Sequence, residues 1–134
     1  MKPADAPSVG AWLALAESDL RIARLVLPLT PPEHHAVCFH AQQAGEKALK
    51  ALLEAGNQPI PRTHDLALLT ALLQLQGFAS AEIAVHAAML SDYGVTPRYP
   101  MPTGSATYEE ARDAVASAEA VVAWVLGQFR AELW

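Results

Sequence analysis

The chain has 134 residues, which fits one domain with a single core, and 52% of them are hydrophobic, as in a globular protein. Its formal net charge of −5 argues against broad, sequence-independent nucleic-acid binding, because that activity needs a basic surface. The single cysteine, Cys38, excludes a disulfide framework within one chain, and the longest uncharged stretch, residues 66–81, is too short to span a membrane. We therefore expect residues 1–134 to form one soluble domain in the cytoplasm.

The first helix is predicted from about Val9 to Leu27, with Ser8 as its N-cap and three prolines after it. Asp19 lies within the apolar stripe of this helix, where a carboxylate needs a cation or several hydrogen-bond donors. The candidate partners are Lys47, His40 and Arg98. The predicted stripe consists of Trp12, Leu15, Ala16, Ile22, Ala23 and Val26.

The second helix, predicted from about Glu33 to Ala55, is apolar on two opposite sides, so we expect other helices to enclose it. Gln42 and Glu46 fall within one of these sides, beside Phe39, Leu49 and Leu53. The seam between the two sides is lined by His40, Gln43 and Lys47. Buried polar groups without partners cost about 1–3 kcal/mol each. The helix therefore predicts either an internal polar network or a functional cleft. We expect Glu46 to be buried or at an interface, rather than paired with Lys50 on the surface.

A third helix is predicted to run through about Gln74, with Thr63 or Asp65 as its cap and a break at Gly77. Ser80 is predicted to begin a fourth helix. The residues of the fourth helix expected to face inward are Ile83, Val85, Ala88, Met89 and Leu90.

The last helix follows residues 93–105, a segment whose three prolines and two glycines exclude regular helix. Thr107 is predicted to cap this helix, with Glu110 as its capping-box partner. No segment alternates with period two for long enough to form a strand. The predicted fold is therefore all-α, an antiparallel bundle of about five helices.

Three segments and one loop resemble small prokaryotic HEPN-domain proteins, a family of compact helical bundles. The segments are Trp12…Ala16…Asp19-Leu20…Ala23, Phe39-His40-Ala41-Gln42-Gln43…Glu46-Lys47-Ala48-Leu49-Lys50 and Arg62-Thr63-His64-Asp65-Leu66, and the loop carries Tyr93 and Arg98-Tyr99-Pro100. The resemblance implies a four-helix up-and-down core and a homodimer. It also implies partnership with a minimal nucleotidyltransferase in a toxin–antitoxin-like pair.

Many members of this family are metal-independent ribonucleases, in which four to six residues separate an arginine from a later histidine. None of the six arginines of this chain has a histidine at that spacing. The usual ribonuclease motif is therefore absent, and binding rather than catalysis is the expected role. The branch with Arg-Tyr-Pro in its late loop implies nucleotide binding or a nucleotidyltransferase partner, with Tyr93 or Tyr99 as a target of nucleotidyl transfer.

The predicted ligand-binding residues combine basic groups that suit phosphate with polar groups that would orient them. They are Asp19, His40, Gln43, Glu46, Lys47, Arg62, His64, Arg98 and Tyr99. His64 either helps to set the turn before the third helix, or acts as a general acid–base or phosphate ligand beside Arg62 and the helix N-terminus. Arg98 either binds phosphate or pins its loop to Asp19 or Glu46. No metal is assigned, and incidental roles are expected for His34, His35 and His86.

Three functions follow from these residues. The preferred one is a HEPN-type module that binds a nucleotide or a nucleotidyltransferase as a homodimer, with no other cofactor. The alternative is a metal-independent ribonuclease toxin that uses Arg62 or Arg98 with His64 as general acid–base, although the acidic charge disfavours RNA. The third is a structural partner subunit whose polar seam only specifies dimer geometry.

Overall fold

The structure, a computed structural model, describes residues 7–94 and 106–132, and the regular elements within these ranges are all helices. They are α1 (Val9–Val26), α2 (His34–Ala55), α3 (Leu66–Leu75), α4 (Ala81–Gly94) and α5 (Tyr108–Glu132). The predicted all-α fold of five helices is confirmed, and the predicted bounds agree closely, except that α4 continues through Tyr93 and Gly94. Over the same described ranges, no helix has both the length and the apolar character needed to cross a membrane.

Side chains at the helix starts satisfy backbone N–H groups as predicted. The Ser8 hydroxyl accepts from the Ala11 N–H at 3.0 Å, and the Asp65 carboxylate caps α3. At the start of α5, the Thr107 hydroxyl accepts from the Glu110 N–H at 3.0 Å, while the Glu110 carboxylate accepts from the Thr107 N–H at 3.2 Å. This reciprocal pair is the predicted capping box, and it fixes where α5 begins.

Helix α2 lies at the centre of the bundle and contacts each of the other four helices. It runs antiparallel to α1, because Asp19 lies beside His40 whereas Trp12 lies beside Lys50. Contacts of the same kind make α3 antiparallel to α4, and α4 antiparallel to α5. Most of the 22 residues of α2 are buried. This confirms the prediction, made from its two apolar sides, that other helices enclose it.

Gly45 allows α3 and α4 to approach α2 closely. A Cβ atom added to Gly45 would lie 2.9 Å from Leu66 Cδ2 and 3.0 Å from Leu90 Cδ1, which is closer than carbon atoms pack. Both leucines are fully buried, so neither can move aside into solvent. Packing, rather than backbone conformation, therefore requires glycine here.

Some predicted core positions are wrong. Val85 and Met89 on α4 are 60% and 49% exposed, and Ala88 is also exposed, because the row that α4 buries is Ile83, Ala87 and Leu90. Apolar residues occupy nearly the whole circumference of α4, so its sequence does not choose a face. Leu15 on α1 is 46% exposed, since the buried face of α1 is centred on Ala16, Asp19, Leu20 and Ala23.

Replacing Gly45 with alanine should lower the free energy of unfolding by about 1 kcal/mol, because overpacking costs about 1–3 kcal/mol and outweighs a helix-propensity gain of about 1 kcal/mol. The matched control is Gly127→Ala in α5, where an added Cβ meets no atom within 4 Å. That variant should gain roughly 0.5–1 kcal/mol. Urea denaturation followed by circular dichroism measures both, and equal shifts in the two variants would contradict the packing role of Gly45.

Candidate functional site

Asp19 of α1 is buried, and both of its carboxylate oxygens have partners on α2. Oδ2 accepts from Lys47 Nζ at 2.6 Å, and Oδ1 lies 2.9 Å from His40 Nδ1. Two of the three predicted partners of Asp19 therefore contact it. Because His40 and Lys47 lie about two turns apart on α2, this carboxylate also fixes the register of α1 against α2.

Glu46 of α2 repeats the arrangement. Its Oε2 accepts from Lys50 Nζ at 2.9 Å, and its Oε1 lies 2.8 Å from His64 Nδ1. Glu46 is 3% exposed and Lys50 is 7% exposed, so the pair is internal rather than a surface ion pair. Each carboxylate thus binds a lysine through one oxygen and a histidine Nδ1 through the other. We call these groups the Asp19 triad (Asp19, His40, Lys47) and the Glu46 triad (Glu46, Lys50, His64).

Two glutamines extend this network across α2. The fully buried Gln42 donates from Nε2 to Glu46 Oε1 at 3.1 Å and to the backbone carbonyl of His64 at 3.0 Å. Gln43 donates from Nε2 to Gln42 Oε1 at 2.7 Å. Gln43 lies on α2 between His40 and Lys47 of the Asp19 triad. The side-chain amides of Gln42 and Gln43 therefore extend from the Glu46 triad towards the Asp19 triad. Of the two alternatives that the sequence of this helix predicts, the internal polar network is present.

The network is balanced in charge, because two carboxylates face two lysines. An ionised carboxylate only accepts hydrogen bonds, so each histidine donates its Nδ1–H to its carboxylate. The Nε2 atoms of His40 and His64 make no hydrogen bond within the described residues.

Lys50 Nζ also lies 5.7 Å from the centroid of the Trp12 ring, which adds a favourable cation–π contact. Across residues 7–94 and 106–132, no group of three or more His, Cys, Asp or Glu side chains is arranged to hold a metal ion.

Basic side chains are the part of the network that reaches the surface. The exposed fraction of the side chain is 56% for His64, 29% for His40 and 21% for Lys47, against 11% for Asp19 and 4% for Glu46. Buried acids therefore hold partly exposed bases in fixed orientations. Such an arrangement suits the recognition of a polar or anionic ligand.

The start of α3 does not offer free N–H groups to an anion beside His64, because side chains satisfy them, as in the first of the two roles predicted for this turn. Asp65 Oδ1 accepts from two N–H groups of the first turn at 3.0 and 3.3 Å, and Ser91 Oγ of α4 accepts from a third at 2.9 Å. An anion there would also meet the charge of Asp65. Arg62 is exposed and makes no hydrogen bond or ion pair with another described residue, so the structure does not bring it into the network.

The predicted loop residues Arg98 and Tyr99 lie outside the described residues. Tyr93, in the last turn of α4, lies near Cys38. Burial, followed by the nearby Cys38 and Glu110, raises the pKa of Tyr93 above its ordinary value of 10.0. Burial, followed by Glu110, raises the pKa of the Cys38 thiol to about 11. Both groups are therefore neutral at pH 7, and the Tyr93 phenol would need a base in order to accept a nucleotidyl group.

His86 is not incidental, because its Nδ1 lies 2.9 Å from Ser117 Oγ and joins α4 to α5. Ser117 is 2% exposed on the buried face of α5, where a hydroxyl needs a partner. A polar residue in the middle of an apolar stripe is the sequence signal for this bond. Because the serine is closed off from solvent, the pair is structural. His34 makes an edge-to-face contact with Tyr108 at 5.7 Å, and His35 is exposed.

A groove of about 440 Å³ lies between α1 and α5. The exposed ion pair of Arg24 and Glu119 lies on its rim. None of the predicted ligand-binding residues lines this groove. The polar network, and not this groove, is what brings the predicted residues together.

Asp19→Ala should lower the free energy of unfolding by about 3 kcal/mol, because it leaves the Lys47 ammonium partly buried without its carboxylate. The matched control is Glu119→Ala, which breaks the exposed pair with Arg24 and should cost less than about 1 kcal/mol. Chemical denaturation of both variants and of the double variant Asp19→Ala/Lys47→Ala measures the coupling. A cost for Asp19→Ala no larger than that of the control would refute the structural role of the triad.

Comparisons with known proteins identify the family to which this fold belongs. The family model of the HEPN domain matches residues 9–128. The structure is similar to that of TT1696 from Thermus thermophilus, with a TM-score of 0.79, 32% identity, and coverage of 89% of this chain and 96% of the other. It is also similar to ST0689, an archaeal HEPN homologue, with a TM-score of 0.76, 28% identity, and coverage of 92% and 98%.

A HEPN-domain protein of Thermotoga maritima shares the fold at 22% identity, with a TM-score of 0.70 and coverage of 89% of this chain and 97% of the other. The search of curated proteins gives no match. The family model covers nearly all of the segment from α1 to α5, including all six residues of the two triads. The chain therefore belongs to the HEPN-domain family.

Proposed function

We propose that this chain is a HEPN module that binds a nucleotide, acts as a homodimer and pairs with a minimal nucleotidyltransferase in a toxin–antitoxin-like system. The observation that carries the nucleotide-binding part is the pair of triads, in which buried carboxylates hold three partly exposed basic side chains in place: Lys47, His40 and His64. Membership of the HEPN-domain family supports the proposed partner and the proposed homodimer.

Stability alone does not account for the triads. A buried ion pair is often no more stabilising than well-packed apolar residues of similar volume, and sometimes less so. This chain devotes six polar positions of its central helix to the network, and at the three buried ones leucine or alanine would fill the core. The network also fixes the orientation of the partly exposed basic side chains, which apolar residues could not do.

The chemistry of the exposed groups favours phosphate. Lysine is a compact cation that binds phosphoryl oxygens, and histidine donates to them when it is protonated. The overall charge of the chain disfavours a long nucleic acid but not a small anion, because only a local group of bases is needed.

Surface residues of α3 and α4 support association with another chain. Four large apolar side chains are between 42% and 85% exposed there, namely Leu68, Leu75, Val85 and Met89. The segment of residues 66–81 carries no charged side chain, whereas the exposed Glu82 follows it at the start of α4. Large exposed apolar side chains are typical of a protein–protein contact.

Binding of ATP to the purified protein, measured by isothermal titration calorimetry in EDTA, tests the nucleotide-binding part of the proposal. Lys47→Gln keeps a donor for Asp19 but removes the positive charge, and should weaken binding tenfold or more, or about 1.4 kcal/mol. Arg21→Gln removes an exposed positive charge on the opposite face of α1 and should leave binding unchanged. Equal loss in both variants would indicate general charge attraction, and failure of the wild type to bind ATP would refute the proposal.

A ribonuclease is the second candidate, because Glu46 holds Nδ1 of an exposed histidine, as in acid–base catalysis. If His64 acts in this way, wild-type protein should cleave RNA in EDTA, and His64→Gln should lose about 100-fold or more in rate. His35→Gln, which changes another exposed histidine, is the control. Intact RNA after incubation with the wild type would exclude this activity.

A further inference from the structure

His64 is the most exposed member of the two triads, and its ring is fixed at one nitrogen. The Nδ1 atom of His64 lies 2.8 Å from Glu46 Oε1. The backbone carbonyl of His64 accepts a hydrogen bond from Gln42 Nε2 at 3.0 Å. The two anchoring residues are almost fully buried, whereas 56% of the His64 side chain is exposed. The ring is therefore held in one orientation and presents a second nitrogen, Nε2, that has no hydrogen-bond partner among the described residues.

We propose that His64 binds a phosphoryl oxygen of the nucleotide through a protonated Nε2, with Glu46 as its positioning residue, so that each binding event takes up a proton. The inference rests on the proposed nucleotide-binding function and names the group that recognises the phosphate.

Hydrogen-bond accounting requires the proton. Because Nδ1–H is donated to Glu46, the neutral ring of His64 carries no proton on Nε2, which is then an acceptor. An oxygen of an ionised phosphate is also an acceptor, and two acceptors cannot share a hydrogen bond. Contact therefore requires a proton, taken from the buffer, to add to Nε2, which makes His64 an imidazolium that donates from both nitrogens.

The charges around His64 leave room for this step. Glu46 favours the imidazolium and Lys50 opposes it, and Arg62 and Asp65, the ionisable neighbours in the same segment, also have opposite signs. An incoming phosphate adds negative charge beside the ring and therefore favours the imidazolium. Histidine is the side chain that ordinarily gains or loses its proton between about pH 5 and 8, so the coupling falls in an accessible range.

The direction of the effect follows from linkage. Since the bound state holds more protons than the free state, affinity rises as pH falls. The dissociation constant for ATP should increase up to about tenfold per pH unit between about pH 7 and 8.5. At about pH 7.5 in EDTA, uptake should approach about one proton per nucleotide.

The experiment measures ATP binding by calorimetry in buffers of different ionisation enthalpy, for the wild type, His64→Gln and His35→Gln. The terminal phosphate of ATP titrates in the same range, but its contribution is common to all three proteins and cancels in the differences. The glutamine amide of His64→Gln can still donate to Glu46, and circular dichroism checks that the variant folds. His35→Gln removes an exposed histidine and should behave as the wild type does.

Loss of the proton uptake in His64→Gln alone, with affinity at about pH 6.5 reduced about tenfold, supports the proposal. Uptake that persists in His64→Gln, or ATP binding without uptake in the wild type, overturns it and leaves nucleotide binding intact. No ATP binding by the wild type at any pH from about 5.5 to 8.5 overturns the proposed function as well. If His64→Gln does not fold, the ring signals of His64 in wild-type NMR spectra decide: their titration midpoint must move to higher pH when ATP is added.

Discussion

The bundle depends on the enclosure of a helix that carries charge. Helix α2 contacts every other helix, yet Gln42, Glu46 and Lys50 on its surface are almost completely buried. Removing these groups from water has a large cost unless each finds a partner, and the partners must come from other elements or from the next turn. Asp19 from α1 and His64 from the segment before α3 therefore have their positions dictated by α2. The apolar contacts of the core surround this polar network.

Much of the fold could be predicted from the sequence because most helices have one clear preference. The proline and glycine positions and the capping groups Ser8 and Thr107 mark the helix ends, and α5 has a single apolar stripe. Helix α4 is the exception, because it is apolar on all sides and only the neighbouring α3 and α5 select the face that is buried. Burial of Val85 and Met89 therefore could not be judged from the pattern.

The candidate site was predictable where a charged residue interrupts an apolar stripe. Asp19 and Glu46 stand out for that reason, and the requirement for partners points to the bases on α2. The contact of Ser91 with the start of α3 could not be foreseen. Ser91 lies on α4, 25 residues after Leu66, whose N–H its hydroxyl accepts. Glu46 and Lys50 have the spacing of an ordinary surface pair, but the apolar side of α2 around Glu46 already indicates its burial, which the structure confirms.

The burial of Cys38 has a practical consequence. Its thiol is 2% exposed and remains protonated well above neutral pH, whereas thiol-directed reagents attack the exposed thiolate. A second cysteine introduced on the open face of α4, at Val85 for example, would therefore carry a fluorophore or spin label while the native thiol is left in place. The chain thus offers selective attachment beside its apolar surface without disturbing the core, which gives spectroscopic access to whatever docks there.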